Sequence, residues 1–370
     1  MVKSDLPVRR PRTVRVRHQP YGRHSRVRER TFAVGRLLIA GATVLVLAAI
    51  GAGWWVWNGV SRQLEERAIA ALAPDDPNIR TPQAPADAAT PAGTAENILI
   101  AGVTPRPAGA EGAGTGTEQT GILLLAHASA DRSRIDLVSI PDDLLVAAPQ
   151  CQTWDPATRT SGPDAAGGGS AQWRIGDAYA VGGPPCTVRA VQAATGLRVD
   201  RLVMIDRTGF KDIVDAMGGI DVPESVAVAA DGRPVAAGGT ARTIGGDEAL
   251  ALVDAVLDAG GPAGGPDALA RQRALVAAML AQLTSRESLT DPVALNNTLQ
   301  AVVAHATTAN VSVDELAELA LSVRGGRGAV EEYSLPSEVD PSGAGRRSTA
   351  ATAAFTDALI ADVAPPATGG

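Results

Sequence analysis

Aromatic residues, histidines and cysteines are scarce in this chain of 370 residues. Phe, Tyr and Trp make up 3% of it, and it has four histidines and two cysteines. Two of the histidines lie within the first 36 residues, and neither His127 nor His305 has a second ligand at metal-binding spacing. A zinc site and a Ser-His-Asp triad are therefore disfavoured. We expect His127 and His305 to be structural residues with satisfied hydrogen bonds.

Nucleotide-binding motifs are also missing. No GxxxxGK sequence occurs, and Gly112, Gly114 and Gly116 do not have the GxGxxG spacing. The residues that follow these glycines predict a strand, whereas a dinucleotide loop leads into the helix that binds the pyrophosphate. We expect a flexible loop here.

Positive charge is concentrated at the start of the chain. Residues 1–36 carry a net charge of +9, and the rest of the chain carries −16. An acidic body disfavours nucleic-acid binding, because phosphates are neutralised by basic surfaces. The basic residues 1–36 lack apolar periodicity and a helix-turn-helix pattern, so we expect a disordered tail. A transcriptional regulator acting through this tail is a weak alternative.

The one long apolar run follows directly. Residues 37–57 (LLIAGATVLVLAAIGAGWWVW) contain no charge and would span roughly 31 Å as a helix, about the thickness of a bilayer core. Tryptophans cluster at its end and the basic tail precedes it, so the positive-inside rule predicts a cytoplasmic N-terminus and an extracytoplasmic C-terminal domain. We expect an uncleaved single-pass membrane anchor; a cleaved signal peptide and a buried core helix are the alternatives.

The remainder of the chain is predicted to form a stalk and one α/β domain. Residues 58–95 indicate a short helical stalk and a linker rich in Pro and Ala, residues 96–365 the domain, and residues 366–370 a tail. Short apolar runs predict strands at 97–103, 121–128, 135–140, 202–205, 220–222 and 331–335. Helical patterns cover 187–194, 207–217, 247–258, 267–284, 291–306 and 349–363, and a capping box starts a further helix at Ser312. Together they predict an α/β/α sandwich with a central mixed sheet.

The two cysteines both fall in the predicted extracytoplasmic domain. An oxidising compartment and an even count favour a disulfide between Cys151 and Cys186. Two free buried thiols are the alternative.

Several motifs in the domain follow one another in a recognisable order. They read NILIAGV, ILLLAH, DLVSIPDD, RIGDAYAVGG, TGLRVDRLVMIDRTGFKDIVDAMGGIDV, IGGDEALALV and LARQRALV. In this order they resemble the LytR-CpsA-Psr family of Gram-positive bacteria. The resemblance covers about residues 96–365 and is strongest in 195–222.

The resemblance implies a role in cell wall biogenesis at an actinobacterial-type envelope. Family members transfer a glycopolymer from a polyprenyl pyrophosphate carrier to peptidoglycan, usually with magnesium, and the membrane, the polyprenyl-linked glycan and peptidoglycan are the expected partners. The matching motif positions assign catalysis to Asp143, Arg174 and Arg271, and substrate binding to Gln272. We predict no metal ligand in this chain.

Other motif positions depart from the family pattern, mostly by losing positive charge. The family's Arg-Ser-Asp is replaced by Glu118-Gln119-Thr120, an arginine by Asp142, the two arginines of Arg-x-Arg by Asp254 and Val256, and a later Asp and Arg by Gly265 and Ala268. Anions in place of arginines should repel a pyrophosphate. We therefore predict lost or weakened catalysis, with an active glycopolymer–peptidoglycan transferase as the alternative.

Overall fold

The computed structural model describes most of the predicted domain. The described residues are 58–63, 68–69, 95–106, 114, 116–165, 172–224, 241–258, 271, 274–275, 278–279, 281–282, 292–312, 329–343 and 345–366. Within these ranges no helix is both long and apolar enough to cross a membrane. The predicted anchor at 37–57 and the predicted helix after Ser312 lie outside them.

Fourteen strands and five helices have defined bounds in the described part of the chain. The strands are β1 (Glu96–Pro105), β2 (Glu118–Ala128), β3 (Arg134–Ile140), β4 (Leu144–Ala147), β5 (Gln152–Asp155), β6 (Thr160–Asp164), β7 (Gln172–Arg174), β8 (Arg201–Asp206), β9 (Ile220–Val222), β10 (Arg242–Ile244), β11 (Ala306–Ala309), β12 (Ala329–Ser334), β13 (Ser337–Val339) and β14 (Arg346–Ser348). The helices are α1 (Ala178–Thr195), α2 (Arg207–Ala216), α3 (Gly246–Asp258), α4 (Pro292–His305) and α5 (Ala350–Ile360).

The centre of the domain is a six-stranded mixed sheet in the order β11-β8-β1-β2-β3-β12. β1 runs parallel to β8 and antiparallel to β2, β3 runs antiparallel to β2 and parallel to β12, and β11 runs antiparallel to β8. The predicted α/β fold with a central mixed sheet is therefore confirmed. These strands could be predicted from the sequence because strands buried on both faces form nearly continuous apolar runs.

Helices cover both faces of this sheet. On one face, Leu99 and Leu125 belong to a buried cluster with Val188 of α1 and Phe355 of α5. On the other face, the half-buried Ile205 packs against a cluster built from α2 and α3, including Val214 and Leu252. Each such fully buried side chain contributes about 1.5–3 kcal/mol to folding, so the two apolar layers fix the sheet between the helices.

Helix α1 is longer than the sequence predicts. Its interior contains Gly182 and Gly183 with non-helical backbone angles, followed by Pro184 and Pro185. Gly-Gly-Pro-Pro is a strong helix-breaking sequence, so the predicted helix starts only at Thr187. The structure instead has two helical segments joined across a kink.

A second, smaller sheet and two strand pairs were not predicted, although the strand β9 itself was predicted at 220–222. The small sheet has the order β13-β14-β4-β7, and β5–β6 and β9–β10 each form a two-stranded pair. Cys151, just before β5, is bonded to Cys186 in α1, with a Cα–Cα distance of 5.4 Å. The predicted disulfide is thus confirmed, and it fastens the β5–β6 hairpin to α1.

Part of the predicted stalk contacts the domain. Ile69 belongs to the main apolar cluster, and its backbone N–H donates to the carbonyl of Thr308 in β11 at 2.9 Å. Since β11 is the last strand on that side of the sheet, residues 68–69 lie along its open edge.

His127 has the structural role expected of it. It is fully buried, with Nδ1 2.8 Å from Asn97 Oδ1 and Nε2 3.1 Å from Asp362 Oδ1. His305 forms an ion pair with Asp212 at 3.1 Å. Both histidines have hydrogen-bonding partners, as predicted.

Candidate functional site

Charged residues gather at one edge of the central sheet. β1, β3 and β8 run in the same direction and end there, and β2 begins there. Arg106 follows β1, Glu118 opens β2, Asp142 follows β3 and Asp206 ends β8. We call this the carboxyl edge. It is where α/β sheets usually bind ligands, because the loops that follow parallel strands converge there.

Arg106 is held by a buried ion pair at the carboxyl edge. Its guanidinium lies 3.5 Å from Asp177, and the two side chains are only 8% and 7% exposed. It also donates to the carbonyl of Gly114 at 3.1 Å. Arg106 was not among the predicted site residues, although a cation directly after a buried strand was a usable signal.

The glycine-rich stretch packs against α1. A Cβ on Gly114 or Gly116 would lie 2.6 Å or 2.9 Å from the Ala180 backbone, and the N–H of Gly116 donates to the Ala180 carbonyl at 3.1 Å. The next element is β2, as predicted, and not a phosphate-binding helix. The glycines therefore allow close approach of two backbones.

Thr120 occupies the position where the resemblance places an acidic residue. It is fully buried, and its hydroxyl donates to the Gly176 carbonyl at 3.2 Å, while the Gly176 N–H donates to the Asp142 carbonyl at 2.9 Å. A magnesium ion prefers carboxylate oxygens and water, and an engaged neutral hydroxyl supplies neither. The described residues also contain no cluster of three or more His, Cys, Asp or Glu able to hold a metal. The residues at this position do not fit the family's magnesium.

Asp142 and Asp143 form an acidic pair that two arginines partly offset. Burial raises the pKa of Asp142 to about 6, the charge of Asp143 adds to the rise, and Arg174 opposes it. Burial likewise raises the pKa of Asp143, with Arg346 and Arg174 opposing; Arg346 Nε lies 3.8 Å from Asp143 Oδ1. The structure thus brings together two predicted site residues, Asp143 and Arg174. It also makes Asp142 a carboxyl group that can exchange a proton near pH 6.

Tyr179 adds a neutral hydrogen-bonding group. Burial raises its pKa to about 12, and the negative charges of Glu118 and Asp206 add to the rise. The phenol therefore stays protonated and can donate a hydrogen bond. Sequence reasoning missed it, although it lies within the quoted motif RIGDAYAVGG.

Asp254 is paired with an arginine that the sequence analysis did not consider. Arg207 binds it with both terminal guanidinium nitrogens; Nη2 donates to Oδ2 at 2.8 Å, and Nη1 donates to Oδ1. The bond to Asp254 raises the pKa of Arg207. The expected repulsion between Asp254 and a phosphate is therefore offset by a matched positive charge.

For the remaining motif positions the structure describes little or nothing. Arg271 is helical and half-buried. Gln272, Gly265 and Ala268 lie outside the described residues, as does the side chain of Val256. The roles of Arg271 and Gln272 stay predictions.

Comparisons with known proteins agree with this fold. The profile of the LytR-CpsA-Psr family matches residues 70–360. The polyisoprenyl-teichoic acid–peptidoglycan teichoic acid transferase TagU of Halalkalibacterium halodurans is 30% identical over 243 residues, which cover 65% of this chain and 69% of TagU. The TagU of Bacillus mycoides is 38% identical over 79 residues, 21% of this chain and 25% of that protein.

Solved structures show the same fold. The LytR-Csp2A-Psr enzyme of Actinomyces oris aligns with a TM-score of 0.53 at 20% identity, over 78% of this chain and 96% of that one. TagV of B. subtilis aligns with a TM-score of 0.51 at 19% identity, over 73% and 98%. The profile match, which spans more than half of the sequence, shows that this chain belongs to the LytR-CpsA-Psr family.

Proposed function

We propose that this chain is a membrane-anchored, extracytoplasmic protein that binds polyprenyl-linked glycopolymer and transfers it to peptidoglycan weakly or not at all. The names of the TagU relatives, which are teichoic acid transferases acting on a polyisoprenyl-linked donor, support this substrate class. The uncharged segment 37–57 supports the anchor.

The observation that carries the proposal is the pairing of cations with carboxylates at the candidate site. Arg106 pairs with Asp177, Arg207 with Asp254, and Arg346 lies beside Asp143. Phosphoryl transfer depends almost entirely on positive charge placed where negative charge develops. A guanidinium already paired with a carboxylate contributes less to that stabilisation, so slow transfer is expected.

Other groups at the carboxyl edge still suit ligand binding. Protonated Tyr179 can donate to a phosphate oxygen, and Arg174 supplies positive charge near Asp142 and Asp143. The carboxyl edge therefore keeps groups that can bind an anionic headgroup, although its paired arginines contribute little to the transfer step.

An active transferase is the second candidate function, and Asp142 favours it. A carboxyl group with a pKa of about 6 is matched to removing the proton of an acceptor hydroxyl near neutral pH. In that case Asp142 would act as the general base, and its replacement by asparagine would abolish turnover.

Transfer is tested with the full chain in detergent, a polyprenyl-pyrophosphate-linked oligosaccharide, peptidoglycan and magnesium. We expect product at background level, with the H. halodurans TagU as the active control. The double variant Asp142→Arg/Asp254→Arg should bind the donor more strongly than the wild type. Robust turnover by the wild type that collapses in Asp142→Asn or Arg271→Ala would establish the active transferase instead.

The anchor is tested separately by adding protease to spheroplasts. Protease should digest the domain and leave a short N-terminal fragment in the membrane. Full protection of the domain would contradict the proposed orientation.

A further inference from the structure

The Arg207–Asp254 pair closes one end of the contact between α2 and α3. Arg207 is the first residue of α2, directly after the β8 residue Asp206, and Asp254 lies late in α3. At the opposite end, the N–H of Gly246 in α3 donates to Asp215 Oδ1 in α2 at 2.7 Å. The two helices are therefore antiparallel, and the Arg207–Asp254 end is the one at the carboxyl edge.

Helices α2 and α3, which carry this pair, pack against each other through a cluster of apolar side chains. The buried members from α2 and α3 include Val214 and Leu252, joined by Leu275 from the following helical segment, and the half-buried Phe210 packs against them. Phe210 lies one helical turn after Arg207 and is only half-buried, so it leaves apolar surface near the guanidinium, whereas Val214 and Leu252 are fully buried. That combination suits a ligand with an anionic head on a hydrocarbon chain.

We propose that Arg207 is a phosphate-binding residue of this chain, and that Asp254 is an exchangeable counter-ion that pairs with it until an anionic lipid binds. The inference rests on the proposed function, since it assigns the headgroup contact for the polyprenyl-linked donor. A carboxylate and a phosphate accept the same two parallel N–H bonds from a guanidinium. Asp254 thus holds Arg207 in the geometry that a phosphate would need.

Exposure makes the exchange physically feasible. The Arg207 and Asp254 side chains are 30% and 39% exposed, so water reaches both partners and an ion pair of this kind is only weakly favourable. A pyrophosphate carries more negative charge than one carboxylate, and the released Asp254 would remain solvated. The Arg106–Asp177 pair, at 8% and 7% exposure, lacks this freedom, because separating it would leave buried charges.

The exchange makes a specific prediction about affinity. Because Asp254 competes with the phosphate for Arg207, removing Asp254 should tighten binding of an anionic lipid. Removing Arg207 should weaken it. An uncharged lipid of the same length should bind equally well to both variants and to the wild type.

The test uses the full chain in detergent micelles and isothermal titration calorimetry. The probes are geranylgeranyl pyrophosphate and, as the uncharged counterpart, geranylgeraniol. We expect Asp254→Ala to tighten pyrophosphate binding about fivefold and Arg207→Ala to weaken it about tenfold, as for loss of a charge-assisted bidentate contact. Arg207→Lys keeps the positive charge but cannot donate two parallel N–H bonds. Its affinity for the pyrophosphate should therefore fall between those of Arg207→Ala and the wild type.

Arg198→Ala is the matched control. Arg198 pairs with Asp200 at 3.0 Å and is 48% exposed, but it precedes β8 and so lies at the opposite end of the sheet. Its replacement should leave both affinities unchanged. If Arg207→Ala does not fold, which its thermal unfolding would reveal, Arg207→Lys and Asp254→Ala decide the question.

The outcomes separate this inference from the proposed function. Unchanged or weaker pyrophosphate binding by Asp254→Ala overturns the exchange, even if the wild type binds the lipid and the proposed function stands. If the wild type binds neither probe but Asp254→Ala binds the pyrophosphate, and an added Arg207→Ala abolishes that binding, the exchange stands and the proposed function falls. If neither the wild type nor Asp254→Ala binds, both fall.

Discussion

Gly183 lies directly against the indole ring of Trp154. A Cβ atom on Gly183 would be 2.3 Å from Trp154 Cγ, and the φ of Gly183 is +61°. Trp154 belongs to β5, and Gly183 forms the kink of α1. The kink therefore makes room for the hairpin, and only glycine satisfies both the backbone angle and the close approach.

Gly183→Ala should destabilise the domain more than a change at another left-handed glycine. The backbone angles of Gly183, φ +61° and ψ −152°, lie in a region that is essentially restricted to glycine and cost another residue about 1–3 kcal/mol, and displacing Trp154 adds a further ~1–3 kcal/mol. Gly218→Ala is the control, because Gly218 has a φ of +80° but no atom within 4 Å of its Cβ position. Urea unfolding measures both. Equal losses would show that Trp154 moves aside freely.

Reducing the Cys151–Cys186 bond should loosen the hairpin and lower stability. The bond closes a loop with a sequence separation of 35 residues, for which chain entropy predicts about 3–4 kcal/mol. Urea unfolding of the Cys151→Ser/Cys186→Ser double variant, with and without reductant, measures this. Reductant should have no further effect on the variant. Quantitative alkylation of both thiols in the unreduced wild type would contradict the bond.

Asp142 should make stability fall as pH rises. Its pKa is raised from 3.8 to about 6 in the folded protein, so between these values the unfolded chain releases its proton first and ionisation favours unfolding. The stability present below pH 3.8 is lost as pH rises through about 6, by about 2–3 kcal/mol. Asp142→Asn should remove this loss and be more stable than the wild type at pH 7.

Asp340 provides the control of opposite sign for this measurement. Its pKa is lowered by hydrogen bonds from the side chain and backbone of Ser342. The ionised Asp340 stabilises the fold at pH values above its unfolded pKa, and this stability is lost as the pH falls through its folded pKa. Asp340→Asn should therefore be less stable than the wild type at pH 7. Denaturant unfolding from about pH 2, below the unfolded pKa of both carboxyl groups, to about pH 7, above the folded pKa of Asp142, compares all three proteins. A pH profile of Asp142→Asn identical to that of the wild type would contradict the assignment.

Removing the Asp362 carboxylate should destabilise the domain strongly. It accepts a hydrogen bond from the Ala130 N–H at 3.0 Å, and its other oxygen lies 3.1 Å from Nε2 of the buried His127. Asp362→Ala would leave both groups buried without this partner, at a cost of about 2–4 kcal/mol. Thermal unfolding at matched protein concentration measures the loss.

The control for Asp362 is an exposed ion pair. Glu338 lies 3.7 Å from Arg347, with side-chain exposures of 66% and 53%. Glu338→Ala should cost no more than about 1 kcal/mol. A similar loss for Asp362→Ala would mean that water reaches the His127 site.

The sequence predicted the long apolar strands and the three-residue β9, and it missed the other short strands. β1, β2 and β3 form continuous apolar runs, whereas β13 and β14 have three residues each and expose most of them. Such strands carry no periodic signal of burial, and their pairing depends on distant chain segments.

Site residues could be predicted from the sequence only at motif positions where this chain has the residue of the family motif. Asp143 and Arg174 were predicted in this way; the structure brings them together, and their catalytic roles stay predictions. The pairing of Asp254 with Arg207 was not predictable, because 47 residues separate them and the contact depends on how α2 packs against α3. The pairing with Arg207 therefore reduces the repulsion that Asp254 was predicted to exert on a pyrophosphate.

The hydrogen bond from Ile69 to Thr308 has a consequence for how the domain behaves in solution. An uncovered edge strand offers free carbonyl and N–H groups to a second molecule, which invites sheet-to-sheet aggregation. Ile69 occupies the Thr308 carbonyl and buries its side chain beside it. A fragment that begins at Glu96 would expose this edge of β11 and a hole in the core, so it should associate into oligomers that a fragment beginning at Asn58 does not form.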